Sequence, residues 1–353
     1  MSSKRQKLLV ISGVFPPMPI AEADHIARLC SELAQRGYDI DLLTSTQGKA
    51  DIASGYRVHA VMPGWDWANR SRIAQMAREI KPDIVLIWYV GMAYDYHPMI
   101  TFAASQLKAI LPGAQIVTQV TAPVGSDPLK FPKSTRALRK AVSIVAGTRD
   151  TDFFYGTLLR DSDHVIFMAD SHLQQLTSAY PAVVAKSSVV PPPPLIPMSP
   201  ATEATRRKGR ELLGADDRTP LFAYFGRLYR GKGLEYLLEA FKAVHADNPA
   251  TRLAIIGGPT PPAWHGDTWS VDQLHEQARD LKIDHAVSWT GEFPFDSDIG
   301  STYLRAADFA VLPFDWGSAL NNSSLAACAS HGLPVITTRR DIDDPELIDG
   351  KNV

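Results

Sequence analysis

Two cysteines, Cys30 and Cys328, are all that this 353-residue chain contains, and they lie far apart. A disulfide framework or a cysteine-based metal site needs more thiols at closer spacing, so both are excluded. Each falls in a helix-like pattern, which predicts a core thiol and suits a reducing compartment. Long apolar runs are missing too. None reaches the length of a membrane span, and residues 7–13 are too short and wrongly flanked for a signal peptide. Surplus charge is also lacking. The formal net charge of −2 gives no field that would draw nucleic acid. The basic start, Lys4, Arg5 and Lys7, is too short to act as a tail. A cytoplasmic protein is expected, with peripheral contact at the inner face of a membrane left open. No Asp-x-Asp ligand pair stands at a strand end in the expected place, and Asp341, Asp343 and Asp344 read as a solvated acidic turn. No metal and no resident cofactor are therefore expected.

What is present is a soluble composition, 45% apolar and 21% charged, in a chain long enough for two domains. Short apolar runs alternate with helical patterns. Residues 7–12, 39–45, 57–62, 83–89, 115–121 and 164–168 read as strands. Residues 21–36, 72–80 and 99–110 read as helices, and another starts at Ser171 as its cap. The alternation breaks at residues 187–200, which hold Pro191, Pro192, Pro193, Pro194, Pro197 and Pro200. Such a run is extended and stiff, and is expected to be a linker. Beyond it, strands are predicted at 221–227, 252–257, 287–290, 309–314 and 334–338. Helices are predicted at 233–244, 270–281, 301–306 and 322–330. Nearly all-apolar strands spaced by helices imply parallel sheets covered on both faces. The expectation is an α/β protein of two doubly wound, Rossmann-like domains, 1–186 and 201–353, joined by 187–200. Ligands of such folds sit beyond the carboxyl ends of the strands, and two such edges facing each other would form a cleft. Asp349 to Val353 reads as a turn entering a new element, so more chain is expected beyond it.

Three constellations stand where ligands are expected. The loop after the first strand, Gly13-Val14-Phe15-Pro16-Pro17-Met18-Pro19-Ile20-Ala21-Glu22, is stiff, and is either a ligand wall or a plain connector. Gly13, Phe15, Pro17 and Glu22 are its site candidates. After strand 221–227 come Gly226-Arg227-Leu228 and Gly231-Lys232-Gly233, then a helix. Backbone amides and the helix dipole there favour an anion, and Arg227 and Lys232 add formal charge suited to a diphosphate. The third is Asn321-Asn322-Ser323-Ser324 at a helix start, which either binds ribose hydroxyls or merely caps the helix. His25, on the first helix, and His97, after Tyr94-Asp95-Tyr96, are the weak catalytic candidates. A single histidine without a paired motif is as a rule structural. His265, with Trp264 and Trp269, lies in a Gly/Pro-rich loop and carries no role.

Taken in order, Phe15-Pro16-Pro17, Gly37-Tyr38-Asp39-Ile40, Ala169-Asp170-Ser171, Gly226-Arg227-Leu228, Lys232-Gly233, Tyr303 to Asp308 and Gly332-Leu333-Pro334-Val335-Ile336 resemble the retaining GT-B glycosyltransferases, family 4-like, over nearly the whole chain. The resemblance implies transfer of a sugar from a nucleotide-sugar donor to a glycan, lipid or small-molecule acceptor, with retained configuration and no obligatory metal. It implies that Arg227 and Lys232 contact the donor diphosphate. The chain departs from the family pattern at three points. Ile20 and Ala21 replace a double glycine, and the histidine usual after strand 115–121 is missing. Ala319 and Ala327 stand where two glutamates are usual, one for the transferred sugar and one for the donor ribose. Either Asn321, Asn322, Ser323 and Ser324 take over donor contacts, or the chain is an inactive homologue serving as a binding or scaffold protein. A nucleotide-sugar epimerase, which shares the fold, is a third reading.

Overall fold

Leu9, Val10 and Ile11, at the centre of strand β1 (Lys7–Ser12), are shut off from water by neighbours on both sides of the sheet. Each such aliphatic contributes about 1.5–3 kcal/mol of burial. The computed structural model describes the chain apart from residues 1–4, 19, 49–54, 124–132, 146–154, 178–179, 261–269, 295 and 341–343. His265, Trp264, Trp269, Asp341 and Asp343 therefore lie outside the described residues. The chain divides into two units, one formed by Met1–Met18 with Glu22–Pro191 and the other containing Pro192–Val353.

The first unit holds a seven-stranded sheet in the order β3-β2-β1-β4-β5-β6-β7. Its further strands are β2 (Asp39–Ser45), β3 (Arg57–Met62), β4 (Ile84–Tyr89), β5 (Gln115–Val120), β6 (His164–Phe167) and β7 (Ser187–Val189), all pairing in parallel. Its helices are α1 (Ala21–Gln35), α2 (Arg70–Ile80), α3 (Ala103–Ile110), α4 (Lys133–Val145), α5 (Leu158–Asp161) and α6 (Asp170–Thr177). Glu22 and Asp24 sit in the first turn of α1, where the helix dipole favours negative charge. Gly37 ends it with φ of 96°, and the Tyr38 amide reaches back to the Leu33 carbonyl at 3.1 Å.

The second unit holds five parallel strands in the order β10-β9-β8-β11-β12. They are β8 (Leu221–Phe225), β9 (Arg252–Ile256), β10 (Val287–Trp289), β11 (Phe309–Leu312) and β12 (Val335–Thr337). Its helices are α7 (Glu203–Leu212), α8 (Leu234–Asp247), α9 (Val271–Asp280), α10 (Ile299–Ala306) and α11 (Ser323–Ser330). The doubly wound reading is borne out in both units. Strand order reverses between β1 and β4 in one and between β8 and β11 in the other. These reversals are the ligand positions of such folds. Cys30 and Cys328 are both buried on helices, and burial pushes each thiol up to about 12.

Several expectations need correction. Residues 187–189 are not linker, because β7 hydrogen-bonds with β6. The stiff stretch can begin only after Val190, where prolines bring no N–H to the ladder, and the unit boundary falls at Pro191/Pro192. Residues 192–200 pack with the second unit: Ile196 joins its core, and the Ser199 amide donates to the buried Ser301 Oγ at 2.9 Å. Ser171 lies inside the first turn of α6 and does not cap it. The predicted helix 99–110 begins as a tighter turn, Ile100–Phe102, before α3. Helices α4, α5 and α7 were not expected. Helix α7 buries almost no apolar side chain. Gly209 lets it approach α10, and the buried Arg210 donates to the carbonyls of Asp216 at 2.7 Å and Ala306 at 2.8 Å.

Candidate functional site

The strand reversal of the second unit assembles two of the predicted constellations. Strand β8 ends at Phe225, and the Gly226 amide still bonds to the Ile256 carbonyl of β9 at 3.0 Å. The turn is held from beneath by Tyr224, whose hydroxyl donates to the Arg227 carbonyl at 3.1 Å. Burial pushes the Tyr224 phenol well above its ordinary range, so it remains a donor. Across the reversal, the Asp315 amide donates to the Gly231 carbonyl at 3.1 Å. Gly233 caps α8 with φ of 68°, and a methyl there would overlap the Pro313 carbonyl. Only glycine satisfies both conditions. Being glycine, it also brings no side-chain acceptor to the first-turn amides of α8. A helix start of this kind favours an anion.

Both predicted cations are at this edge, on different flanks of β8. Arg227, with its side chain 24% exposed, pairs through Nη1 with Glu292 Oε1 in the loop after β10. Lys232 is only 7% exposed. Its Nζ lies 4.3 Å from the Phe314 ring centre, after β11, and 4.8 Å from that of Tyr229. Neither side chain hangs in bulk solvent. Glu292 was not foreseen. Its signal was faint: a carboxylate directly after Thr290-Gly291, at the end of a predicted strand. Trp316, 54% exposed, lies with its ring against Gly231 and was also missed.

At α11 the structure divides the asparagine–serine cluster. Asn322 is the cap: its Oδ1 accepts the Ser324 amide at 2.9 Å and the Leu325 amide at 3.1 Å. That oxygen is engaged in capping, so the capping reading holds for it. Ser324 is buried with its Oγ against Gly226, where a side chain larger than hydrogen would collide. Asn321 and Ser323 are half-buried. Ala319 and Ala327 are both buried, Ala327 at 0% exposure in the core of the unit. A carboxylate has no place at that packed position.

The first unit offers a different edge. Phe15 is fully buried, with Tyr56 meeting it edge-on at 6.4 Å, so it anchors its loop and presents no wall to a ligand. Gly13 lies against the Ala93 carbonyl, which joins the loops after β1 and β4. Pro17 is exposed and Glu22 half-buried. His25 is 7% exposed and packs on Trp88, ring centres 4.6 Å apart. Desolvation lowers its pKa to about 4. It is a core imidazole, neutral at pH 7. His97 accepts the Met99 amide on Nδ1 at 3.1 Å and meets Trp67 edge-on at 5.6 Å. Asp95 and Tyr96, just before it, hold φ of 50° and 53°. Two such residues in succession mark a strained turn fixed by its surroundings.

Two parallel α/β units with this strand order define the GT-B class of fold. A family model described as Glycosyl transferases group 1 matches residues 219–353, and one described as Glycosyl transferase 4-like matches residues 19–167. The chain belongs to the GT-B glycosyltransferases, family 4-like. A D-inositol 3-phosphate glycosyltransferase of Corynebacterium diphtheriae is 25% identical over 329 residues, covering 89% of this chain and 73% of its own. Its namesake in Corynebacterium jeikeium is 28% identical over 185 residues, covering 52% of this chain and 42% of its own. The match thus spans less than half of the length of that relative. Among solved structures, Anabaena HepE in complex with UDP and glucose shares the fold, with TM-score 0.59 and 16% identity over 94% of this chain and 80% of its own.

Proposed function

We propose that the chain transfers a sugar from a nucleotide-sugar donor to an acceptor, with retained anomeric configuration. The observation that carries this reading is the β8–α8 turn, which sets Arg227, the nearly buried Lys232 and a glycine-capped helix start along one carboxyl edge of the sheet. A diphosphate suits that turn. As the bond from the anomeric carbon to the phosphate oxygen breaks, the leaving diphosphate gains charge, and fixed cations stabilise it. Asn321, Ser323 and the Nδ2 amide of Asn322 are the hydrogen-bonding groups proposed for ribose or sugar hydroxyls. The acceptor is a glycan, a lipid-linked sugar or a small molecule. Its proposed contacts are Pro17, Glu22 and His97 on the first unit. Neither a resident cofactor nor nucleic acid enters the reading. No helix of the described residues is long and apolar enough to cross a membrane. A cytoplasmic location with peripheral membrane contact is proposed where the acceptor is lipid-linked.

A second reading, a non-catalytic nucleotide-binding homologue, draws support from the buried Ala319 and Ala327. A thermal-shift panel of UDP-, GDP- and ADP-sugars, followed by transfer assays and NMR of the product anomer, separates the readings. A donor that binds the native state raises its melting temperature by mass action. A stabilising donor and a product of unchanged anomeric configuration support transfer. Binding without turnover supports the second reading. A folded protein that binds none of these nucleotides overturns both.

A further inference from the structure

Helix α8 runs about 20 Å from the glycine-capped turn to its far end, where His245 faces His285 of the short turn Asp284–Ala286. The two Nε2 atoms are 3.3 Å apart, and the rings cross at 66° with centres 5.2 Å apart. Two imidazole nitrogens on one tetrahedral ion at 2.0–2.1 Å stand about 3.3–3.4 Å apart. We propose that His245 and His285 form a binding site for a borderline divalent transition ion, Zn²⁺ or its neighbours Cu²⁺ and Ni²⁺.

A second observation concerns the tautomer. Thr251 donates its hydroxyl proton to the Asn248 carbonyl at 2.9 Å. Its oxygen, 3.4 Å from His245 Nδ1, is then left to accept. This arrangement favours the His245 tautomer with its proton on Nδ1, which leaves the Nε2 lone pair for an ion. A second partner of this kind orients metal-binding histidines and raises their basicity. The ring is held further by Phe241, stacked at 5.7 Å, and both Phe241 and Thr251 are buried. Without metal, His285 Nε2–H donates to His245 Nε2. For the ion to bind, His285 shifts that proton to its own Nδ1 through water, which frees the Nε2 lone pair, with no change of oxidation state. Among the described residues no group of three His, Cys, Asp or Glu forms, so water completes the coordination shell. The site is at the amino edge of β9 and β10, away from the proposed transfer chemistry, and takes no part in it.

The test uses the full chain, free of affinity tags, stripped with EDTA and titrated with ZnCl₂ by calorimetry in a non-coordinating buffer at pH 7.5. One saturable site is expected. His285→Gln and His245→Gln should each weaken it at least ten-fold, while His275→Gln, elsewhere in the unit, leaves it intact. His285 is exposed, so its variant is expected to fold, and circular dichroism checks this. Absence of saturable uptake at 100-micromolar-scale Zn²⁺ (~100 µM, a weak site in affinity arithmetic) would reduce the pair to a hydrogen bond and overturn the proposal. Equal binding by wild type and both histidine variants would overturn it as well.

Discussion

At the carboxyl edge of the first sheet, the residues gathered around β1 and β4 are aromatic and mostly closed off from water: Phe15, Trp88, Tyr89 and Tyr94, with His25 against Trp88. At the matching edge of the second sheet stand glycines, two cations and a helix start without a side-chain cap. One topology thus serves two kinds of surface. In the first unit the strand reversal is packed solid, and what it presents is loop shape. In the second, small residues keep the backbone open, so that amides and charge are presented instead.

The contrast is broken most severely at Phe15. Phe15→Ala should destabilise the first unit by about 3–5 kcal/mol, through lost burial and the cavity left behind. Urea unfolding followed by fluorescence measures this. Nucleotide binding by the surviving folded protein should be unchanged, since every proposed nucleotide contact belongs to the second unit.

His25 sharpens the contrast through pH. Its folded pKa is depressed to about 4 by desolvation, against an ordinary 6.5. Between those values the unfolded chain takes up a proton that the folded chain refuses. Stability should therefore fall as pH drops from 6.5 towards 4, by at most about 3 kcal/mol from this group. His25→Leu should flatten that part of the profile. A wild-type profile already flat between pH 7 and 4.5 would remove His25 from the core.

At the second edge, Lys232→Met keeps the stem and removes the ammonium. Nucleoside diphosphate binding should weaken roughly 10- to 100-fold, the loss of one charge-assisted contact. The urea midpoint should move little. Calorimetry with UDP and GDP reads the first effect, and unaltered affinity would break the proposed site. The smallest effect is expected at Asn322. Asn322→Ala removes a cap and should cost about 1 kcal/mol of stability. Its Oδ1 is already bonded to the Ser324 and Leu325 amides, so any loss of nucleotide affinity should come only from the Nδ2 amide proposed for a donor hydroxyl, which calorimetry with UDP reads.

Much of this was legible from one strand of text. Strands at 7–12, 39–45 and 57–62 were read with the bounds they have, because each is a short aliphatic-bearing segment set off by turn or helical patterns on either side. Helix α7 was not legible. Its sequence, EATRRKGREL, has no apolar stripe, and it packs through Gly209 and a buried Arg210, one of whose carbonyl partners, that of Ala306, is 96 positions away. Strand β7 was hidden by the prolines that follow it. At the candidate site, Arg227 and Lys232 announced themselves by spacing around glycine. Glu292, 65 positions beyond Arg227, did not.

The order of apolar runs and turns along the chain determined two parallel-sheet units, because the alternation of period and the chemistry of glycine and proline act locally. It also determined which loops stand at the carboxyl edges. Only the tertiary structure decided which residues at those edges are buried and which present themselves. It withdrew Phe15 and His25 into the core, paired Arg227 with Glu292 and brought His245 to His285. The reason is that burial and partnership depend on atoms tens of residues away, whose distances no local pattern encodes.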